Sequence, residues 1–185
     1  MGRAAPNDHR RPGTAARPSG RNEAATMAKE AKTNAMRMLE RMKISYTPHE
    51  YDHDDGAIDG VSVATKLGQD PARVFKTLVT QGASRSYFVF VIPVAETLDL
   101  KKAARAVGVK NIAMIPQKEL LPLTGYVHGG CSPVGMKKPF PTFIDETALL
   151  CERFYCSAGR VGAQVEVSAE ALAEYIGAEF ADLTV

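Results

Sequence analysis

Cysteine is scarce in this sequence, and no apolar run approaches the roughly 18 residues that a transmembrane helix requires. The three cysteines, Cys131, Cys151 and Cys156, are an odd number without the spacing of a disulfide framework. No apolar segment typical of a secretory signal precedes them. These absences argue against a membrane protein and a disulfide-stabilised secreted protein, and they predict a protein of the reducing cytoplasm.

The first 26 residues contain no Val, Ile, Leu, Phe or Tyr. Such a segment buries too little apolar surface to offset the entropy lost on ordering, so residues 1–30 are predicted to be a disordered extension without chemistry of its own. Five arginines against two acids give these 26 residues a net charge of +3, whereas the whole chain carries +2. The predicted folded domain, residues 31–185, is therefore not basic overall, and any contact with nucleic acid must come from a local patch.

Helix and strand patterns are interspersed along the folded part. Helices are predicted in TNAMRMLERMK, in SVATKLG with Ser62 as its cap, in LDLKKAARAVG capped by Asp99, in PQKELLPLTG, and in SAEALAEYIG capped by Ser168. Strands are predicted in ISYTPHEY, RVFKTLVTQG, YFVFVIPV, NIAMI, the segment around PTFIDE, and RFYCSAGRVGAQVEV, which folds as a hairpin. The fold class is predicted to be mixed α/β (α+β), with a mixed or antiparallel sheet and packed helices rather than an all-parallel sheet.

Lys76 stands out within the predicted strand from Arg73 to Gly82. It shares a face with Val74 and Leu78 in an otherwise apolar, alternating stretch. One interpretation is a lysine whose stem packs on the sheet while its ammonium reaches water. The other is a cation that lines a pocket, because an ammonium on an apolar face either finds an acceptor or binds its proton less tightly.

A glycine-rich loop, GGCSPVG from Gly129 to Gly135, is the second unusual feature. Adjacent glycines let backbone N–H groups approach a carbonyl oxygen or a phosphate. The spacing fits neither a phosphate-binding Walker loop nor a dinucleotide fingerprint, and a tight turn between strands is the alternative. Cys131 follows His128 by three residues, which raises a Cys–His nucleophile, although a buried structural cysteine is the favoured interpretation.

Metal and cofactor sites are not predicted. His49, Tyr51 and His53 would share a face of an extended segment, but Pro48 argues against the helix that a zinc-binding H-x-x-x-H pattern needs. Five basic residues form two clusters that are candidates for phosphate contacts with RNA, or else a solvated charged surface: Lys101, Lys102, Arg105, Lys137 and Lys138.

Several separated motifs together resemble one family. KISYTPHEYDHD, VFKTLV, LDLKKAARAVG, TGYVHGGCSPVGMKK, PTFIDE and FYCSAGRVG occur in the order and spacing of the YbaK/EbsC aminoacyl-tRNA deacylases. The family is similar to the editing domain inserted in bacterial prolyl-tRNA synthetases, and the resemblance implies a mixed α/β domain around a curved sheet. It also implies hydrolysis, in trans, of mischarged Cys-tRNA(Pro) and Cys-tRNA(Cys), with aminoacyl-tRNA and prolyl-tRNA synthetase as partners and without a cofactor.

The resemblance also assigns site residues. It implies that Lys76 lies at the mouth of the site, that Tyr51 and Ser157 contact the substrate, and that the Gly129 and Gly130 N–H groups face the ester carbonyl. Many relatives carry Asp where this chain has Gln164, and Gln cannot act as a base. Cys131 replaces a residue that is commonly aliphatic, which is interpreted as packing or as tuning of the pocket.

The mechanism implied for cysteine-specific relatives is attack of the substrate thiol on its own ester carbonyl. The protein then needs only to orient the aminoacyl group and stabilise the oxyanion. Two alternatives stay open. One is a deacylase for another small residue, such as Ala-tRNA(Pro), in which water attacks. The other is a module that binds tRNA or the synthetase without turnover. The sequence predicts no oligomeric state.

Overall fold

A computed structural model describes residues 32–185, and the extension expected over residues 1–30 lies outside this range. The described helices are α1 (Asn34–Arg41), α2 (Gly60–Leu67), α3 (Leu100–Val107), α4 (Gln117–Thr124) and α5 (Ala169–Ile176). The described strands are β1 (Tyr46–Glu50), β2 (Phe75–Gln81), β3 (Tyr87–Pro93), β4 (Ala113–Met114), β5 (Thr142–Asp145), β6 (Phe154–Ser157), β7 (Ala163–Val167) and β8 (Glu179–Ala181). No helix in this range is long and apolar enough to cross a bilayer.

The strands form two sheets. The larger has the order β4-β2-β3-β5-β8, and the smaller has the order β1-β7-β6. The larger sheet is mixed because β5 pairs in parallel with β3 and β8, whereas β2 pairs antiparallel with β3 and β4. The smaller sheet is antiparallel throughout, and a bridge between Val74 and Tyr155 links it to the start of β2. The prediction of a mixed α/β fold is confirmed, whereas β8 was not predicted.

Both faces of the larger sheet are covered. On one face, Phe75, Val91 and Ile144 belong to a buried cluster that includes the smaller sheet, α1 and α5. On the other face, Phe90 and Ile92 pack with α3 and the C-terminal segment. This double burial explains why β3 is a nearly continuous apolar run, since neither of its faces meets water. The sandwiched sheet is the rigid support on which Lys76 is carried.

Helix α2 begins earlier than predicted. Its cap is Asp59, whose carboxylate accepts hydrogen bonds from both the backbone N–H and the hydroxyl of Ser62, so the prediction of Ser62 as the cap is wrong. Each carboxylate oxygen accepts one of the two hydrogen bonds, which makes Asp59 the N-cap residue. The first helical residue is Gly60, where a Cβ would lie 2.2 Å from a methyl group of Val94. The early start therefore depends on a glycine packed against the strand end.

Lys66 fastens the acidic loop between β1 and α2. Its Nζ donates to the backbone carbonyls of Asp52 and Ala57 at 2.8 and 3.0 Å, and to the Asp55 carboxylate at 2.7 Å. The hydrogen bond from Lys66 is the main reason that the pKa of Asp55 lies below its ordinary value. The Lys66 ammonium thus holds together the loop between Tyr51 and Asp59. Both of these residues border the cavity described next.

Candidate active site

A cavity of about 270 Å³ lies where β2, the start of α2, the glycine loop and the β6–β7 pair meet. This volume is at the lower end for small-molecule sites and suits a small group rather than a large cofactor. Six of the predicted site residues border it: Tyr51, Lys76, Gly129, Cys131, Ser157 and Gln164. They come from distant parts of the sequence, and the fold gathers them around one space.

Lys76 occupies the first part of β2, opposite Ile92 on β3. Its Nζ donates to the backbone carbonyl of Val94 at 3.3 Å. Burial lowers the pKa of the Lys76 ammonium below its ordinary value, and the charge of Glu96 opposes that change. The lysine is therefore a partly desolvated cation at the edge of the cavity, which agrees with the second interpretation of the sequence pattern.

The glycine loop presents one of its two predicted amides. Residues 127–130 form a turn in which the Gly130 N–H donates to the Val127 carbonyl at 3.0 Å. Gly129 has φ +83°, the left-handed value that the third position of a type II turn requires. The prediction that both amides face a substrate carbonyl is wrong for Gly130, because its N–H is used within the turn and the residue does not border the cavity. The Gly129 N–H has no partner among residues 32–185.

Ser157 and Gln164 face each other across the β6–β7 pair, and both border the cavity. The Ser157 Oγ accepts from the Gly159 N–H at 3.2 Å, so its hydroxyl proton is not used by this contact. The Gln164 Oε1 accepts from the Gln69 side chain at 2.9 Å. Tyr51 is held at the adjoining end of β1 by its own N–H, which donates to the Gly162 carbonyl.

Two thiols border the cavity, and neither is a thiolate at neutral pH. Burial raises the pKa of both Cys131 and Cys156 to about 12, and at Cys131 a hydrogen bond with Thr124 acts in the opposite direction. Although His128 also borders the cavity, the Cys131 thiol lacks the lowered pKa that nucleophilic cysteines have. A Cys131–His128 nucleophile is therefore not supported, and Cys131 contributes a neutral, apolar part of the wall.

Comparison with known proteins agrees with this site. Residues 58–175 match the model of the aminoacyl-tRNA editing domain. The chain is 44% identical over 155 residues to a protein of Enterococcus faecalis named as the Cys-tRNA(Pro)/Cys-tRNA(Cys) deacylase EbsC, and the match covers 84% of this chain and 94% of that protein.

The chain belongs to the aminoacyl-tRNA editing domain family. Solved structures show the same fold for this editing domain. One, described as a trans-editing enzyme for prolyl tRNA synthetase, has a TM-score of 0.70 at 24% identity, and the match covers 90% of this chain and 99% of that one. Another, of a hypothetical protein, has a TM-score of 0.74 at 23% identity, with coverages of 80% and 97%. The resemblance inferred from the separated motifs is confirmed.

Thr77 is a residue of this editing domain that the sequence pattern did not reveal. It borders the cavity beside Lys76, and its Oγ1 is buried without a hydrogen-bond partner among the described residues. Buried hydroxyls are normally paired, so an orphaned one at a cavity wall is typical of a ligand contact. Threonine is common in strands, and only the tertiary structure distinguishes this one.

Replacing Thr77 with valine is expected to leave the free energy of unfolding unchanged or to raise it by about 1 kcal/mol, because no internal hydrogen bond is lost. Deacylation should nevertheless slow if Oγ1 contacts the substrate. Thr80 on the same strand is the matched control, because its Oγ1 donates to the Phe88 carbonyl at 3.2 Å. Thr80→Val should cost about 1 kcal/mol in denaturant unfolding. Equal destabilisation by both changes would contradict the assignment.

The predicted phosphate-binding residues lie outside the cavity. Lys102 is engaged by the C-terminal segment, since its Nζ donates to the Thr184 carbonyl at 2.7 Å and pairs with Asp182 at 2.9 Å. The Lys102 ammonium is therefore already engaged within the protein, and its binding of tRNA stays a prediction. The other four basic side chains are exposed and their binding of tRNA stays a prediction: Lys101, Arg105, Lys137 and Lys138.

The three residues considered for zinc diverge. The His49 Nε2 contacts the Glu166 carboxylate at 3.0 Å, Tyr51 borders the cavity, and His53 lies against Gly162. Within residues 32–185, no group of three or more His, Cys, Asp and Glu side chains is arranged to hold a metal ion.

The lowered pKa of Lys76 predicts a pH dependence of stability. Below its folded-state pKa the ammonium is charged in both states, and the folded state bears the desolvation cost. Between that pKa and the ordinary value of 10.5, the folded protein carries a neutral amine, so the cost declines as pH rises. The stability advantage of Lys76→Met over wild type should therefore shrink from about pH 7 to about pH 10. Denaturant unfolding of the two proteins across this pH range measures the difference, and a constant advantage of Lys76→Met at all pH values would contradict the prediction.

Proposed function

We propose that this chain is a trans-editing aminoacyl-tRNA deacylase that removes cysteine from Cys-tRNA(Pro), and also acts on Cys-tRNA(Cys). The observation that carries the proposal is the cavity that has Lys76 and the unpaired Gly129 N–H on its border and no activated nucleophile among its described wall residues. The relative named as a deacylase for these substrates supports the choice of amino acid. Prolyl-tRNA synthetase is the proposed source of the mischarged substrate.

The cavity residues support a reaction in which the substrate supplies its own nucleophile. A cysteine thiol with an ordinary pKa near 8.5 is partly ionised at neutral pH, and a nearby cation increases that fraction. Lys76 supplies such a cation. The substrate sulfur then attacks its own ester carbonyl, so that a C–S bond forms and the C–O bond to the ribose breaks. The departing ribose oxygen takes a proton, and water hydrolyses the resulting cyclic thioester to free cysteine.

The protein's part in this reaction is orientation and charge stabilisation. The Gly129 N–H is the proposed oxyanion donor, because it has no hydrogen-bond partner among residues 32–185 and Gly129 borders the cavity. Lys76 assists by stabilising the same developing negative charge. The neutral Cys131 and Cys156 thiols keep part of the wall apolar, which strengthens both interactions by excluding water.

A deacylation panel tests the proposal. Wild-type protein is incubated with Cys-, Ser-, Ala- and Pro-tRNA(Pro), and with Cys-tRNA(Cys), with and without prolyl-tRNA synthetase, and the loss of aminoacyl groups is followed. We expect rapid loss of cysteine, and no turnover of Ser-tRNA, because a hydroxyl is far less acidic than a thiol. Turnover of Ala-tRNA would instead indicate attack by water, and binding of tRNA without loss of any aminoacyl group would indicate a non-catalytic module.

A further inference from the structure

Two glutamine side chains, the half-buried Gln69 and the buried Gln164 of the cavity wall, form a hydrogen-bonded pair. Gln69 follows α2 and is held by its backbone N–H, which donates to the Ala64 carbonyl at 2.9 Å. Its side-chain Nε2 donates to the Oε1 of Gln164 on β7, also at 2.9 Å. Gln164 is only 4% exposed and borders the cavity. The pair thus connects the end of a helix to the wall of the site.

The pair leaves two amide atoms without a protein partner. The Gln69 Oε1 is buried and accepts no hydrogen bond from the described residues. The Gln164 Oε1 is used by Gln69, and its Nε2 makes no hydrogen bond to residues 32–185, although the side chain as a whole is 4% exposed and borders the cavity. Buried amides are normally satisfied, because each unpaired group loses its hydration without compensation. A side chain this deeply buried and left with a free donor at a cavity is arranged for a ligand.

We propose that Gln69 is a positioning residue that fixes the polarity of Gln164 for the bound aminoacyl group. Because Gln69 donates to Oε1, the Gln164 amide must direct its N–H group to the cavity. An N–H donor there favours a hydrogen-bond acceptor of the substrate, its sulfur or carbonyl oxygen, over its α-ammonium group. The inference rests on the proposed function, since it names which atoms of that substrate Gln164 contacts.

Glutamine at position 164 also determines the charge of the site. A carboxylate in the same place could accept from Gln69, but it would attract the α-ammonium and disfavour a thiolate nearby. The amide of Gln164 supplies a hydrogen-bond donor without a negative charge, so Gln164 does not neutralise the positive charge of Lys76. Gln164 is therefore a specificity-determining residue, and Gln69 acts through it without touching the substrate.

Gln69→Glu tests the proposal because it preserves shape and reverses polarity. The introduced carboxylate cannot donate to Oε1, so the Gln164 amide must turn over, donate through Nε2 to that carboxylate, and present Oε1 to the cavity. We expect kcat for Cys-tRNA(Pro) to fall about 10-fold or more with little change in KM. The hydrogen bond that is lost acts on the reacting atoms, so it stabilises the transition state more than the bound substrate. At pH values where the introduced carboxyl group is protonated it can donate again, so the wild-type to variant rate ratio should decrease as pH falls.

Side-chain amide NMR of the free protein provides a readout independent of activity. In the wild type, the side-chain NH2 resonance shifted downfield by hydrogen bonding should belong to Gln69. In Gln69→Glu, the NH2 resonance of Gln164 should shift downfield instead. A wild-type protein in which Gln164 already donates to Gln69 would overturn the inference. An unchanged kcat in a variant whose amide has turned over would also overturn it. Reversal of the amide in a protein that does not deacylate Cys-tRNA would instead contradict the proposed function alone.

Discussion

Lys76→Ala is expected to lower the rate of Cys-tRNA(Pro) deacylation about 100-fold, which is the usual loss when one preorganised oxyanion-stabilising group is removed. Lys76 is the cation of β2 on the border of the cavity, and it is held in place by strand pairing and by the Val94 carbonyl. The variant should fold. Burial disfavours the charge of Lys76, so its removal relieves a desolvation cost, and only the Val94 carbonyl loses its hydrogen-bond donor. Single-turnover deacylation with excess enzyme measures the chemical step directly.

Lys110→Ala is the matched control, since Lys110 is an exposed lysine outside the cavity. It should deacylate at the wild-type rate. Lys76→Arg keeps the charge but spreads it over a wider planar group, so partial activity is expected. A folded Lys76→Ala protein with an unchanged single-turnover rate would show that the cation has no part in the reaction.

Much of the architecture could be predicted because it follows from local patterns. Asp99 and Ser168 are caps immediately before apolar periodicity, and both cap their helices as predicted. The anomaly at Lys76 was visible because one charged residue interrupts an apolar alternation. These patterns involve residues that are adjacent in the sequence, so they can be recognised without knowledge of the tertiary structure.

The errors and omissions concern contacts between distant segments and the detailed geometry of turns. The sequence contains two adjacent glycines, but only the turn geometry shows that the Gly130 N–H is bonded to Val127. Thr77 becomes unusual only because the fold leaves its hydroxyl unpaired at the cavity. Gln69 and Gln164 are separated by 95 residues and their hydrogen bond has no local signature. Site chemistry of this kind depends on which polar groups the tertiary structure leaves unsatisfied.

Gly129→Ala is expected to reduce deacylation about 100-fold and to lower the free energy of unfolding by about 1–2 kcal/mol. The stability cost arises because φ at this position is +83°, a region that a residue with a Cβ occupies only with strain. The loss of activity has a second cause. A Cβ would lie 2.8 Å from the Ile58 Cδ1, so either the turn or Ile58 must move, and both border the cavity. Movement of the turn, rather than of the Ile58 methyl group, shifts the N–H of residue 129 away from the proposed oxyanion, and a misplacement of about 1 Å costs roughly 100-fold in rate.

Gly177→Ala separates these two causes, because Gly177 has φ +69° but open space where its Cβ would be. It should show a similar loss of stability in denaturant unfolding and a wild-type deacylation rate. Ile58→Val combined with Gly129→Ala removes the Cδ1 atom, so it should recover part of the activity without recovering the strain cost. If Gly129→Ala and Gly177→Ala proved equally active, backbone strain would be the only effect, and the predicted displacement of the turn by the contact with Ile58 would be wrong.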